Sequence, residues 1–180
     1  MKKTITILSI LALFAVTGAS AQIPFANLGF GARAGSNTEN GDFFFGGQAY
    51  LGISKFTLVP NYEYASGDDA KFHTINIDGQ YEVYGLAVAK MFIGGGYVIQ
   101  SVKPDKIVGI TVKKPTNKGF NVQIGGKAGL GPIEIFGLAK MVRIDVQKFN
   151  EFEGSGSNLK FAKKAKINYS LVIGANFSLL

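Results

Sequence analysis

An all-β fold, an eight-stranded antiparallel up-and-down transmembrane β-barrel, is what this sequence predicts, and three observations carry the prediction. Apolar and polar residues alternate with period two through most of the chain. The connections between the alternating runs are short and long in turn. Glycine is abundant at 24 of 180 residues, cysteine is absent, and the 47 % hydrophobic content is scattered instead of gathered into runs. A helical bundle would not carry so many glycines, each costing up to ~1 kcal/mol in a helix interior. Without cysteine, neither disulfides nor a thiolate metal site holds the fold.

The first 21 residues read as a segment apart. Lys2 and Lys3 form a short positive region, Ile5 to Val16 is apolar but for Thr6 and Ser9, and Ala19-Ser20-Ala21 supplies small residues for cleavage. That is the layout of a secretory signal peptide, with cleavage expected after Ala21. The run is too short for a transmembrane anchor, and no later segment approaches ~18 continuous apolar residues, so helical spans are excluded. Residues 22–180 are expected to form one barrel domain, with no linker or second domain.

The last strand shows the period best. Ile167, Tyr169, Leu171, Ile173, Ala175, Phe177 and Leu179 alternate with Asn168, Ser170, Val172, Gly174, Asn176 and Ser178. Leu28, Phe30, Ala32 and Ala34 alternate with glycines and Arg33 in the first strand. Phe43, Phe45, Ala49, Leu51 and Ile53 alternate with Gly46, Gln48, Tyr50 and Gly52 in the second. Ile75, Ile77, Tyr81 and Val83 alternate with Asn76, Asp78, Gln80 and Glu82, and Phe120, Val122, Ile124 and Ala128 with Asn121, Gln123, Gly125 and Lys127.

Three strands are less regular. Phe56 to Ala65 contains Pro60, which cannot donate a ladder hydrogen bond and predicts a bulge or a strand end. Met91 to Gln100 contains Gly94-Gly95-Gly96, where close backbone approach or strong curvature is expected. Ile133 to Val146 puts Glu134 and Lys140 on one parity, together with Phe136 and Leu138. Short connections are expected at Ser54-Lys55, Tyr84 to Ala89 and Gly131-Pro132, and long ones at Ser36 to Asp42, Ser66 to Lys71, Ser101 to Lys118 and Gln147 to Lys166.

Alternation alone does not say which side is wet, because a soluble lipocalin-like barrel points its apolar face inward. Such a barrel needs many Lys and Glu on its outer face. Here the polar parity is mostly Gly, Asn, Gln and Ser, which suits a narrow hydrogen-bonded lumen. The apolar parity then meets lipid, with Tyr62, Tyr64, Tyr81 and Tyr169 available for interfacial girdles.

Four segments together carry a resemblance: Leu28-Gly29-Phe30-Gly31-Ala32-Arg33-Ala34-Gly35, Ile75-Asn76-Ile77-Asp78-Gly79-Gln80-Tyr81, Ile93-Gly94-Gly95-Gly96-Tyr97 and the C-terminal strand. On these the chain resembles the outer-membrane β-barrel proteins of the OmpA/OmpX type, over essentially all of residues 22–180, as a barrel-only member. The resemblance implies a Gram-negative-type bacterium and insertion by the outer-membrane assembly machinery, which recognises a C-terminal strand ending in an aromatic residue. This chain departs from that pattern, with Phe177 three residues from a terminal Leu180. The peptidoglycan-binding domain of larger members is absent, so cell-wall attachment does not carry over.

The lumen candidates are Arg33, Glu63, Asp78, Glu82, Lys127, Glu134 and Lys140. They line a small pore or form an ion-pair network that plugs the barrel; eight-stranded interiors are just wide enough for side chains to fill, which favours the plug. Two loops are basic, with Lys103, Lys106, Lys113, Lys114 and Lys118 in one and Lys160, Lys163, Lys164 and Lys166 in the other. Outside the membrane they would face phosphorylated lipopolysaccharide, or simply be solvated. Export makes nucleic acid an improbable partner, and a monomer is expected.

Catalytic signals are poor. His73 is the only histidine, with Ser66, Asp68 and Asp69 near it in sequence. Outer-membrane lipid A-modifying enzymes use a histidine with a serine and an acid, but a lone loop histidine near acids is usually solvated. Asp68-Asp69 lacks the ligand count for a calcium loop, and no helix pattern follows Gly94-Gly95-Gly96 to make a nucleotide loop. No cofactor and no metal are expected. The leading expectation is a non-enzymatic structural or surface-interaction barrel, then a narrow pore, then a lipid A-modifying enzyme.

Overall fold

A computed structural model describes residues 26–38, 41–67, 70–86, 88–104, 116–153 and 160–179. The expected signal peptide and its cleavage after Ala21 lie outside the described residues. Eight strands follow one another: β1 (Ala26–Asn37), β2 (Phe43–Ile53), β3 (Phe56–Ser66), β4 (Ala70–Gly85), β5 (Ala89–Pro104), β6 (Thr116–Leu130), β7 (Ile133–Glu153) and β8 (Lys160–Ser178). Each pairs antiparallel with the next, and β8 returns to pair with β1 from Gly29↔Ser178 to Asn37↔Ser170, so the sheet closes as a barrel with no edge. The outward Phe30 and Phe177 rings meet across that seam, with centroids 5.8 Å apart.

Both ends of the barrel follow from local chemistry. At one end the connections are tight: Ser54 takes a left-handed backbone (φ 55°), and Gly131 does the same (φ 64°) ahead of Pro132. The opposite end carries the longer connections. There the strands continue past the limits expected from alternation. β7 and β8 stay paired from Asp145↔Ala165 to Gln147↔Lys163 and again, after a register shift, at Phe152↔Phe161 and Glu153↔Lys160. The segment Gln147 to Lys166 is therefore largely a strand hairpin instead of a loop. Beyond the apolar band its alternation no longer separates an oily face from a wet one, so period two disappears while the ladder persists.

Pro60 produces neither a bulge nor a strand end. It pairs with Ile77 in the middle of β3, and the β2–β3 register is the same on both sides of it, at Gln48↔Asn61 and Leu51↔Leu58. What its missing N–H removes is pairing with Ala49 and Tyr50, a local gap in an otherwise continuous ladder.

Gly94 and Gly96 do mark close approach. A Cβ on Gly96 would run into Asp78, and one on Gly94 would press on Gln123 and the Gly79 carbonyl. The same small-against-large fit recurs around the lumen: Tyr50 lies over Gly29, Phe44 over Gly35, Phe92 over Gly125 and Phe136 over Gly174. This is how a narrow interior holds aromatic rings on the parity that reads as polar. Phe44, Phe92, Phe136, Leu138 and Val172 form one inward cluster, and Val98, Val142 and Ile144, with Val146 against them, form another.

Outward, the pattern is simpler. From Leu28 to Ala34, Phe43 to Ile53, Phe56 to Tyr64, Ile75 to Val83, Ala89 to Ser101, Phe120 to Leu130, Ile133 to Met141 and Ile167 to Leu179, no outward position carries Asp, Glu, Lys or Arg. Large apolar side chains are exposed along the whole band, with Ile173 at 69 % and Phe120 at 56 %. About eleven residues per strand, tilted near 40°, span roughly 25 Å, the height of a hydrocarbon-facing band.

Candidate functional site in the barrel lumen

Closure and alternation bring every inward side chain to one axis, and Glu63 on β3 sits at the centre of what results. Lys140 of β7 donates to Glu63 Oε1 over 2.8 Å, and Arg33 Nη2 of β1 lies 3.1 Å from the same oxygen. All three side chains are buried. From Arg33 the network runs on through neutral amides: Arg33 Nη1 donates to Gln48 Oε1 (3.2 Å), Gln48 Nε2 to Asn176 Oδ1 (2.7 Å), and Asn176 Nδ2 to Glu134 Oε1 (3.1 Å). Lys127 completes it, 3.5 Å from Glu134 Oε2.

Asp78 anchors a second branch. Asn61 Nδ2 and Asn121 Nδ2 donate to its two oxygens over 2.9 and 2.8 Å, and Asn76 Nδ2 donates to Asn61 Oδ1 over 2.8 Å. Asn76 and Asp78 are fully buried, and Asn76 also lies against the Glu63 carboxylate, which joins the two branches. A buried carboxylate is costly unless hydrogen-bonded, and the two amide donors supply those bonds.

Of the seven lumen residues expected from sequence, the structure links Arg33, Glu63, Lys140, Glu134 and Lys127 in one chain and places Asp78 in the adjoining branch. Glu82 stands apart, paired with Lys90 at 3.1 Å near the tight-turn end. The network members not singled out by sequence are Gln48, Asn61, Asn76, Asn121 and Asn176. Their signal was present, since each occupies the inward parity of its strand. Along this inward face Arg33, Lys90, Lys127 and Lys140 are matched by Glu63, Asp78, Glu82 and Glu134, so the charges of these eight residues cancel.

The network divides the interior. On the side of the long connections lies a cavity of about 260 Å³ whose floor is Glu63, Lys140 and Asn76. On the other side a pocket of about 10 Å³ lies among Gln48, Tyr50, Gln80, Lys127, Glu134 and Asn176. That is barely the space of a single water.

The basic residues divide by parity. Lys103 and Lys118 are exposed and face outward just beyond the apolar band, joined there by Lys71, which pairs in register with Lys103, and by Arg143. The Arg143 guanidinium sits 5.6 Å from the Phe120 ring centroid. Lys164 and Lys166 are on the inward parity, and Lys166 lines the cavity. Lys106, Lys113 and Lys114 lie outside the described residues, as do the side chains of Lys160 and Lys163.

Outward aromatics gather at both limits of the band. Phe56 and Tyr81 pair near the tight turns, with centroids 4.9 Å apart. Near the other limit Phe45, Tyr64 and His73 meet edge to face in succession, with centroids 5.4 and 5.2 Å apart, and Tyr62 Oη is 2.6 Å from His73 Nδ1. His73 thus faces outward among tyrosines, while Asp68 and Asp69 lie outside the described residues. Among the described residues no group of three His, Asp or Glu side chains is placed to hold a metal ion.

No protein-family model matches the chain, and no curated protein matches it by sequence. Solved structures do match in fold. The chain is similar to Neisserial surface protein A (13 % identity, TM-score 0.59), with 84 % of this chain and 96 % of that one covered. It is similar also to the N-terminal β-barrel domain of OprF from Pseudomonas aeruginosa (14 % identity, TM-score 0.55; 84 % and 97 % covered). A third match is a de novo designed transmembrane β-barrel (12 % identity, TM-score 0.50; 88 % and 98 % covered). The fold is therefore the closed eight-stranded antiparallel barrel of outer-membrane proteins.

Proposed function

We propose that this chain is an exported outer-membrane β-barrel protein with a structural or surface-interaction role, its lumen closed to solutes and no catalytic step assigned to it. The observation that carries the reading is the pairing of a charge-free outer band with the buried Arg33–Glu63–Lys140 contact across the lumen. The band is the surface that hydrocarbon accepts, and a lumen closed at that contact leaves no water-filled path. In this reading residues 1–21 direct export, the assembly machinery inserts a monomer by its C-terminal strand, and the long-connection end is extracellular. Lys71, Lys103, Lys118 and Arg143 then stand at the level of the lipid headgroups, where they meet the phosphates of lipopolysaccharide.

The first test is fractionation of cells making the protein, followed by gel mobility with and without boiling. A heat-modifiable band in the outer-membrane fraction is expected, and a soluble periplasmic band overturns the reading. Planar-bilayer recording of the purified protein is expected to show no steady single-channel steps. Steps of reproducible size that vanish on lumen substitution would establish the narrow channel instead.

A further inference from the structure

The cavity above the Glu63–Lys140 floor has the make-up of a binding site. Its walls are apolar on one side, with Val98, Val142 and Ile144 all buried, and Phe44 closes it opposite. Polar side chains also line it, but most of its exposed wall is apolar, and the polar groups toward the floor converge. Lys140 supplies an ammonium held against Glu63, while Asn76 Oδ1 and Asn117 Oδ1 are buried acceptors with no hydrogen-bond partner in the protein. Each such acceptor prefers a donor, because a buried polar atom left unmatched is unfavourable by about 1–3 kcal/mol. Apolar walls with a small number of placed polar groups are the usual composition of a small-molecule pocket.

Charge and size narrow the class of ligand. The cavity lining carries Lys140 and Lys166 against Glu63 and Asp42, so its formal charges cancel and a charged guest would stand uncompensated. A volume of about 260 Å³ is just below the range that holds drug-sized ligands. A hydroxyl both donates to the amide oxygens and accepts from an ammonium. We propose that this cavity is a receptor cup for a small uncharged amphiphile, an alcohol or phenol. Its apolar body lies against Val98, Val142 and Ile144, and its hydroxyl meets Asn76 and Asn117. The inference rests on the closed floor of the functional reading but not on the cellular location.

The test uses the full barrel in lipid nanodiscs with labelled Ile and Val methyl groups, titrated with 1-naphthol and followed by NMR. Saturable shifts are expected at Val98, Val142 and Ile144, while the outward Val122 and Ile124 drift without saturation as the probe enters lipid. Naphthalene, lacking the hydroxyl, is expected to bind about tenfold more weakly, and Asn117→Leu to weaken 1-naphthol by a similar factor. Val142→Phe, which fills the cup, should abolish saturation. Should that variant fail to fold, Asn117→Leu, at the polar side of the cup, provides the second arm. The proposal is overturned if no inward methyl saturates, if naphthalene binds as well as 1-naphthol, or if 1-naphthoate binds more tightly. A channel, in contrast, would reveal itself by conductance with or without the probe, so the two failures are distinguishable.

Discussion

Glu63 is the residue on which the interior turns. One carboxylate oxygen holds two cations contributed by strands on other parts of the barrel wall, 2.8 Å from Lys140 and 3.1 Å from Arg33. Breaking a buried ion pair by removing one partner is unfavourable by about 3–5 kcal/mol, because the remaining charge loses its compensation without regaining water. Glu63→Gln is therefore expected to lower barrel stability by about that amount. Adding Lys140→Met removes one of the two orphaned cations, so the double variant should be more stable than Glu63→Gln alone. Urea unfolding in lipid vesicles, read from the heat-modifiable gel band, checks both. A single substitution within ~0.5 kcal/mol of wild type, the range of ordinary surface changes, would mean that the pairing does not organise the lumen.

Elements in this barrel are defined by phase, and two adjacent glycines put that to a direct test. Gly46 faces inward, where a Cβ would collide with the Tyr62 backbone carbonyl; Gly47 faces outward, with only the Gly31 carbonyl near, at 3.8 Å. Gly46→Ala is expected to impair folding strongly, whereas Gly47→Ala should be tolerated, as judged by refolding yield into vesicles. The alternation that predicts this was legible wherever one side of a strand meets lipid and the other meets side chains. It failed at the hairpin of β7 and β8, which stays paired to Glu153↔Lys160 although the sequence there no longer alternates with period two. The inward Phe44 and Phe92 were equally hidden; like Phe136, which shares the parity of Glu134 and Lys140, they are accommodated because a neighbouring strand offers glycine. Seven charged lumen residues could be named from parity alone, while Lys90, which pairs with Glu82, was not among them. Their partners could not, because which side chains share a layer depends on the stagger between strands, and Glu63 meets Lys140 across 77 residues of sequence.

At the scale of the whole molecule the question is what surrounds the barrel, and depth along a single strand answers it. On β6 the outward residues run Phe120, Val122, Ile124, Gly126, Ala128 and Leu130, from the limit marked by Lys118 to the tight turn at Gly131. Ile124 lies near the middle of that run and is 55 % exposed; Leu130 lies at its end and is 79 % exposed. In water both positions accept an arginine with little change, and an exposed apolar surface becomes more soluble. In a bilayer the guanidinium at Ile124 sits amid hydrocarbon and is unfavourable by about 2–4 kcal/mol, while at Leu130 it reaches the interface and costs about 0–1 kcal/mol. Ile124→Arg is thus expected to destabilise the vesicle-inserted barrel well beyond Leu130→Arg, measured by chemical unfolding under identical lipid conditions. Equal, near-neutral effects at both positions would remove the argument that this face meets lipid. A cost that grows with distance from the turn can come only from a medium whose polarity changes along the strand.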